Sequence, residues 1–327
     1  MAIGCTENKK EVITIETITK HLETLSSDEM QGRKPGTEGI EKAAQYIESE
    51  FERIGLKPFN GATDFRQRFS QNVRGEDLDL FNVIGMLEGK SKKDEYVIVS
   101  GHYDHLGIAK NPVEGDSIYN GANDDASGIT GVLALAEHYK EHGSERSIVF
   151  IAFTAEELGL VGSNYFGSTI NPKEIVAGIN LEMIGKTPSF GPNTAWLTGF
   201  DRSDFGTIIQ KNLKGSEFKL HPDPYTKFRL FFRSDNASLA YLGIPAHTFS
   251  TTAIDQDQDY HKVTDETETL DMQVITQTIK AVALGTESII NGKDTPTRVQ
   301  LTDQELERLK KVKERREKVA KEAKKES

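Results

Sequence analysis

The chain has 327 residues, of which 36% are hydrophobic and 28% charged, and its formal net charge is -11 at pH 7. These values are typical of a globular protein with one large domain or two small ones, and we favour one. The acidic balance argues against a nucleic-acid partner, and no apolar run approaches the roughly 20 residues of a transmembrane helix.

The single cysteine, Cys5, follows Ala2, Ile3 and Gly4. One cysteine excludes an internal disulfide and a thiolate-rich metal site. The run resembles the end of a bacterial lipoprotein signal, in which a small residue precedes the cysteine that receives lipid, although the charged and apolar regions of such a signal are missing. We expect a flexible N-terminal segment over residues 1–15. Either Cys5 carries a lipid that anchors an extracytoplasmic protein to the cell envelope, or it is a cysteine without a function in a flexible terminus.

Apolar residues at helical spacing predict a helix over residues 40–54, begun by Thr37 and ended by Gly55. Residues 56–78 lack periodicity and are expected to be a connection. Strands and helices then alternate. The predicted strands are 80–87, 96–100, 148–153, 175–184 and 244–250, and the predicted helices are 128–142, 235–242 and 270–290. This alternation indicates an α/β domain with a largely parallel sheet, and we place it at residues 16–292.

Residues 293–327 differ from the rest in composition. The run from Thr302 to Glu305 is a possible capping box, and a helical stretch rich in Lys, Arg and Glu follows at residues 306–325. Its apolar stripe is thin. This favours a charged, solvated helical tail over a helix that binds a partner or a membrane surface.

Potential metal ligands come directly after two predicted strands. His102 and Asp104 follow the first, and Glu156 and Glu157 follow the second. Ligands of open α/β sheets bind at the carboxyl ends of the strands, and imidazole with carboxylate suits zinc or a neighbouring transition metal. Asp104 could accept the second ring N–H of His102, as carboxylates around metal sites commonly do. One glutamate can bind metal while its neighbour takes a proton from a metal-activated water.

Other residues can complete such a site. Asp124 and Asp125 precede a predicted helix, where the alternative is a helix cap. Asp124 is the better candidate for a carboxylate that bridges two metals roughly 3.5–4 Å apart. Glu182 lies near the end of a further predicted strand, and His261 lies in a later segment. Tyr260, beside His261, could donate a hydrogen bond to a developing oxyanion.

Together, these motifs resemble the zinc-dependent exopeptidase family that includes bacterial leucyl aminopeptidases, aminopeptidase Y and glutamate carboxypeptidase. The resemblance covers roughly residues 17–292. The matching motifs, in the family's order, are residues 25–33, 35–39, 101–107, 123–128, 155–159 and 260–261. It implies a three-layer sandwich with a mixed, mostly parallel central sheet flanked by helices, in a single catalytic domain.

The resemblance also implies a ligand set for two zinc ions. One zinc would bind His102 and Glu182, the other would bind Glu157 and His261, and Asp124 would bridge them. Many relatives carry Asp where Glu182 stands, and its extra methylene moves the carboxylate oxygens. Relatives often insert a protease-associated domain before the first His motif, but residues 56–95 are too few to hold one.

The implied activity is that of a metalloaminopeptidase, which hydrolyses N-terminal residues from peptides with a zinc-activated water. Glu156 would be the general base and acid, Tyr260 would polarise the scissile carbonyl, and Asp104 would orient His102. The substrate's free amino terminus would be held by the metals and nearby carboxylates.

Three alternatives remain open. A glutaminyl cyclase has this fold but uses one zinc, so a complete second position at His102 and Glu182 favours hydrolysis. A catalytically silent binding module has no need for Glu156 beside the metal. A carboxypeptidase would need a cation for the substrate carboxylate, and Arg233 is a candidate, although we expect it to form a structural ion pair.

Overall fold

A computed structural model describes residues 10–113, 115–307 and 310. Cys5 and most of the predicted tail helix lie outside these residues. The helices are α1 (Ile15–Leu25), α2 (Glu38–Ile54), α3 (Ser127–His142), α4 (Val161–Thr169), α5 (Phe205–Asn212), α6 (Asn236–Ala240) and α7 (Met272–Ile290). The strands are β1 (Lys57–Pro58), β2 (Arg66–Val73), β3 (Glu76–Leu87), β4 (Lys92–His102), β5 (Gly107–Val113), β6 (Asp116–Tyr119), β7 (Arg146–Phe153), β8 (Ile175–Leu181), β9 (Thr194–Leu197), β10 (Lys219–Pro222) and β11 (Ala246–Ser250). Within the described residues, none of the helices has the length and apolar character needed to cross a bilayer.

The central sheet is mixed, as predicted. Within the described residues its order is β1-β3-β7-β4-β8-β11-β9-β10, and β2 pairs with β3 outside this path. The four central strands β7, β4, β8 and β11 are parallel to one another. On either side the pairing becomes antiparallel, between β3 and β7 and between β9 and β11. The parallel part of the sheet is therefore its buried centre.

Successive side chains of β4 pack on opposite faces of the sheet. Val97 and Val99 belong to the larger core, which contains the buried sides of α1, α2, α3, α5 and α7. Ile98 belongs to the smaller core, with Phe166 of α4 and Leu239 of α6. A strand buried on both faces needs no polar alternation, which explains its uninterrupted apolar run. The predicted three-layer arrangement is confirmed.

The connection expected at residues 56–78 is instead β1 and most of an edge hairpin. Strands β2 and β3 pair in antiparallel fashion up to Val73 and Glu76. The two residues of the turn, Arg74 and Gly75, have φ of 55° and 92°, as in a type I′ hairpin turn. The prediction was wrong because β2 is mostly exposed and has a single buried residue, Phe69, so it shows no alternation of apolar and polar residues.

Residues 13–15 do not belong to a flexible segment, although one was expected over residues 1–15. Ile13 is buried, with 1% of its surface exposed. The side chain of Thr14 accepts a hydrogen bond from the backbone N–H of Thr17 and so caps α1. The domain therefore begins before residue 13.

Part of the tail expected at residues 293–327 packs on the domain. The capping box is present, because the hydroxyl of Thr302 accepts from the Glu305 N–H and the Glu305 carboxylate accepts from the Thr302 N–H. That carboxylate also pairs with Arg202 at 2.7 Å, and Val299 is buried. Val299 and Glu305 thus hold this segment against the domain.

Candidate metal centre

Three neighbouring parallel strands bring their carboxyl ends to one place. His102 is the last residue of β4, Glu156 and Glu157 follow the end of β7 at Phe153, and Glu182 follows the end of β8. Because β4 lies between β7 and β8, these side chains meet at one edge of the sheet. The structure thus assembles the predicted strand-end ligands.

The carboxylate of Asp124 lies between two imidazoles. Its Oδ1 is 3.1 Å from Nε2 of His102, and its Oδ2 is 3.2 Å from Nε2 of His261. Asp124 stands in the short segment Ala122–Ala126 before α3, where it is 2% exposed and precedes a cis peptide bond to Asp125. A carboxylate with one oxygen facing each histidine can bridge two cations.

Two groups of potential ligands share Asp124. The first contains His102, Asp124 and Glu182, with Oε1 of Glu182 3.6 Å from Nε2 of His102. The second contains Glu157, whose Oε1 is 3.0 Å from Nε2 of His261. It also includes His105.

The residues fit a metal. Nε2 of His102, Nε2 of His261 and Oε1 of Glu157 are buried and make no hydrogen bond within the described structure, although each has a potential partner at 3.0–3.1 Å. Buried polar atoms are rarely left without a partner. Their proximity without hydrogen bonding is typical of atoms that converge on a cation, and nitrogen with carboxylate oxygen is a zinc ligand set.

The electrostatics of the site also favour a cation. Burial by itself lowers the pKa of His261, but the carboxylates of Asp124 and Glu157 outweigh it and raise this pKa to about 10. Burial raises the pKa of Asp124, but His102 and His261 hold it well below its usual range. A potential that stabilises a proton on imidazole also stabilises a metal ion between these carboxylates.

Asp104 positions the glutamate pair. Its Oδ1 accepts the N–H of Glu156 at 3.0 Å, and its Oδ2 accepts the N–H of Glu157 at 3.3 Å. Its backbone carbonyl lies 3.0 Å from Nδ1 of His102, whereas its carboxylate is 3.7 Å from that nitrogen. The contact expected between the carboxylate and His102 is therefore made by the carbonyl, because the carboxylate is used by the turn after β7.

Glu156 differs from its neighbour in its surroundings. It belongs to neither ligand group. Burial, together with the negative charges of Glu182, Asp235 and Glu157, raises the pKa of Glu156 well above its usual range. A carboxylate beside the ligands with a raised pKa is suited to accept and release a proton during the reaction.

Residues 82–285 match Peptidase family M28. The chain belongs to peptidase family M28. This match covers most of the chain and confirms the resemblance that the motifs indicated. Among similar proteins, aminopeptidase YwaD of Bacillus subtilis (strain 168) is 36% identical over 108 residues, or 32% of this chain and 22% of that protein. A probable zinc metalloprotease of Pyrenophora teres f. teres (strain 0-1) is 34% identical over 112 residues, or 34% of this chain and 24% of that protein. The aligned part thus spans under a quarter of each relative.

Solved structures share the M28 fold over nearly the whole chain. BSAP, a zinc aminopeptidase from Bacillus subtilis, has a TM-score of 0.71 at 17% identity and covers 90% of this chain and 100% of its own. An aminopeptidase from Aneurinibacillus sp. strain AM-1 has a TM-score of 0.66 at 16% identity, covering 86% and 95%. At these identities the likeness establishes the fold, and the zinc metalloprotease relatives support zinc as the metal.

The carboxylates of two further aspartates accept hydrogen bonds from backbone N–H groups of the candidate metal ligands or of their neighbours. Asp125 accepts N–H groups from His102 at 3.2 Å and from Met183, next to Glu182, at 3.1 Å. Asp265 accepts the N–H of Asp124 at 3.0 Å. The sequence indicated Asp125 as a rival bridge or a helix cap and indicated no role for Asp265, although Asp265 lies four residues after His261.

Arg33 was also missed, although it ends the first motif of the M28 resemblance. It is fully buried and donates to carbonyls of Leu25 at 2.7 Å, Tyr103 at 2.9 Å, Asn120 at 2.5 Å and Gly121 at 2.9 Å. A planar guanidinium with five N–H donors suits such a cluster of carbonyls. Arg33 therefore joins the loop after β4 to the segment that carries Asp124.

A cleft beside the ligands contains Tyr260 and Arg233, together with Glu182 and Trp196. The Tyr260 ring stacks on His261 with 3.9 Å between ring centroids. Burial and the carboxylates of the centre raise the pKa of Tyr260. Its hydroxyl therefore stays protonated and can donate a hydrogen bond. Arg233 is exposed and forms no ion pair with any residue that the structure describes. The expected structural ion pair was wrong.

Proposed function

We propose that this M28 protein is a zinc-dependent aminopeptidase that removes N-terminal residues from peptides. The observation that carries the proposal is the carboxylate of Asp124, which lies 3.1 Å from one imidazole and 3.2 Å from the other. Two ligand groups that share this carboxylate fit two metal ions, as a hydrolytic site of this type needs. The relatives named as aminopeptidases support the same function.

The zinc ions would be held by His102 and Glu182 on one side and by Glu157 and His261 on the other, with Asp124 shared. When bound, zinc would supply Lewis acidity towards the scissile carbonyl and lower the pKa of water. Each ligand group includes residues whose buried atoms have no other partner within the described structure.

The chain's own residues would move the protons. Glu156, fixed through its N–H to Asp104, would accept a proton from the attacking water and return it to the leaving amide nitrogen. The Tyr260 hydroxyl makes no hydrogen bond to the described part of the chain and would donate one to the carbonyl oxygen as charge develops there. The surrounding carboxylates would favour a substrate with a protonated amino terminus.

A panel of matched substrates tests the proposal. The purified protein with zinc should hydrolyse leucyl p-nitroanilide and not its N-acetylated form, and a chelator should abolish the activity. Zinc counted by mass spectrometry should reach two per chain. Cyclisation of glutaminyl peptides with one zinc would favour the cyclase instead. Cleavage of N-blocked peptides from their carboxyl end would favour the carboxypeptidase.

We also propose that Cys5 carries a lipid anchor and holds the protein at the cell envelope. The proposal is supported by the small residue Gly4 immediately before this cysteine. Metabolic labelling with radioactive palmitate should mark the protein expressed from its natural gene in its own host and not a Cys5→Ser variant. Equal labelling of the two, or none in either, would refute it.

A further inference from the structure

The imidazole of His105 stands within the metal centre without an assigned role. It is 1% exposed, and neither ring nitrogen makes a hydrogen bond within the described structure. Its Nδ1 lies 3.2 Å from Oε1 of Glu157 and 3.9 Å from Oδ2 of Asp124. A buried histidine with two unpartnered nitrogens requires an explanation, since buried polar groups are nearly always satisfied.

We propose that His105 is a further metal ligand, which binds through Nδ1 at the position formed by Asp124, Glu157 and His261. The inference rests on the proposed function, because it needs a metal at this centre. It adds a fourth protein ligand to a position for which the sequence predicted three.

The spacing of the atoms agrees with one coordination shell. Ligands at zinc distances of about 2.0–2.2 Å in a tetrahedron lie about 3.3–3.6 Å from one another. Around this position, Nε2 of His261 is 3.2 Å from Asp124 and 3.0 Å from Glu157. The corresponding distances of Nδ1 of His105 are 3.9 Å and 3.2 Å. These four distances bracket the tetrahedral value.

A role limited to holding Glu157 in place fits the geometry less well. For that role the N–H of His105 would be directed at Oε1 of Glu157. At 3.2 Å the two atoms are close enough, yet neither makes a hydrogen bond within the described structure. Both atoms are instead free to share a third partner.

The backbone around His105 is built to keep the ring in this place. The N–H of His105 donates to the carbonyl of Arg33 at 3.2 Å, and Arg33 holds the neighbouring carbonyls of Tyr103 and Gly121. A Cβ at Gly121 would lie 2.6 Å from the His105 ring. Only glycine therefore leaves room for the imidazole against this segment.

The proposal makes the two metal positions unequal. Four protein ligands fill a tetrahedral zinc site, which is the arrangement of structural sites, whereas three leave a position open, as in catalytic sites. The metal at Glu157 and His261 would be closed and tightly held. The metal at His102 and Glu182 would keep the open position.

A zinc-loaded crystal structure of the whole protein tests the contact directly. Anomalous scattering at the zinc edge should place a metal about 2.0–2.1 Å from Nδ1 of His105. Zinc at the centre with this nitrogen more than about 3 Å away would overturn the inference and leave the proposed function intact. A wild-type protein that binds no zinc would overturn both.

A variant provides a second test that does not depend on activity. His105→Gln removes Nδ1, and zinc affinity measured against a competing chelator should fall at one position by more than about 100-fold. Loss of a residue outside the ligand shell typically costs 10–100-fold. His247→Gln is the matched control, because His247 is equally buried and both its nitrogens are hydrogen-bonded away from the ligands. A loss of zinc affinity below about 100-fold at both positions of His105→Gln would overturn the proposal. If this variant fails to fold, the crystal structure decides.

Discussion

Replacement of Glu156 by Gln separates catalysis from metal binding. The substitution keeps the size of the side chain and removes its capacity to accept a proton. The turn does not depend on the side chain, because Asp104 holds the backbone N–H of Glu156 at 3.0 Å. Glu156 also belongs to neither ligand group. We therefore expect Glu156→Gln to bind as much zinc as the wild type.

The expected loss is confined to turnover. A positioned general base contributes about 10²–10⁴-fold, which corresponds to about 2.7–5.4 kcal/mol of transition-state stabilisation. Stability should not fall. Burial and the charges of Glu182, Asp235 and Glu157 raise the pKa of Glu156, so a neutral amide relieves repulsion in the metal-free protein, and its melting temperature should equal or exceed that of the wild type.

The assay compares neighbouring glutamates. Initial rates with leucyl p-nitroanilide, zinc content and melting temperature are measured for Glu156→Gln and for the control Glu157→Gln. Because Oε1 of Glu157 lies 3.0 Å from Nε2 of His261, the control should lose zinc as well as activity. A Glu156→Gln enzyme within tenfold of wild-type kcat, or one that has lost its zinc, would refute the assignment.

Three further changes test other parts of the structure. Burial lowers the pKa of His247 to about 4 in the folded protein, whereas an exposed histidine has a pKa of about 6.5. As pH falls from about 6.5 to 4, the unfolded state therefore binds a proton that the folded state does not, and the free energy of unfolding decreases. In His247→Gln, the decrease in the free energy of unfolding over this pH range, measured with urea, should be smaller by up to about 3 kcal/mol. A pH dependence equal to that of the wild type would contradict this prediction. Asp265→Asn leaves a single acceptor for two backbone N–H groups and should lower the free energy of unfolding by about 1–3 kcal/mol; wild-type stability would argue against this role. Arg233→Ala should lower kcat/KM for glutamyl relative to leucyl substrates about fivefold, as expected of an exposed ion pair worth ~1 kcal/mol. An unchanged ratio would remove Arg233 from substrate binding.

The strand-end ligands were predictable because two patterns coincide in the sequence. A continuous apolar run marks a central parallel strand, and a His or Glu immediately after it must lie at the carboxyl edge of the sheet. His102 and Glu157 carry this signal strongly. Glu182 carries it less sharply, because the predicted strand ran to residue 184, whereas β8 ends at Leu181, one residue before Glu182.

The remaining residues of the centre depend on contacts that no local pattern records. His105 follows no strand directly, and its ring reaches Glu157 through the fold of the loop after β4. The carboxylate of Asp104 accepts a hydrogen bond from a backbone N–H 52 residues later in the chain. Sequence spacing alone could not show that its carbonyl, and not this carboxylate, faces His102. The edge hairpin was missed because β2 is too polar on both faces to show a period.

The bonds of Arg33 have a consequence for the order of folding. They join it to carbonyls 70 and 88 residues away, so the loops that close over these distances must form before the metal centre exists. Non-local contacts of this kind form slowly. In refolding from urea, helical circular dichroism should therefore recover before zinc binding, and zinc added at the start should leave the early phase unchanged. The metal would then act on a nearly finished protein and stabilise it against unfolding rather than guide its folding.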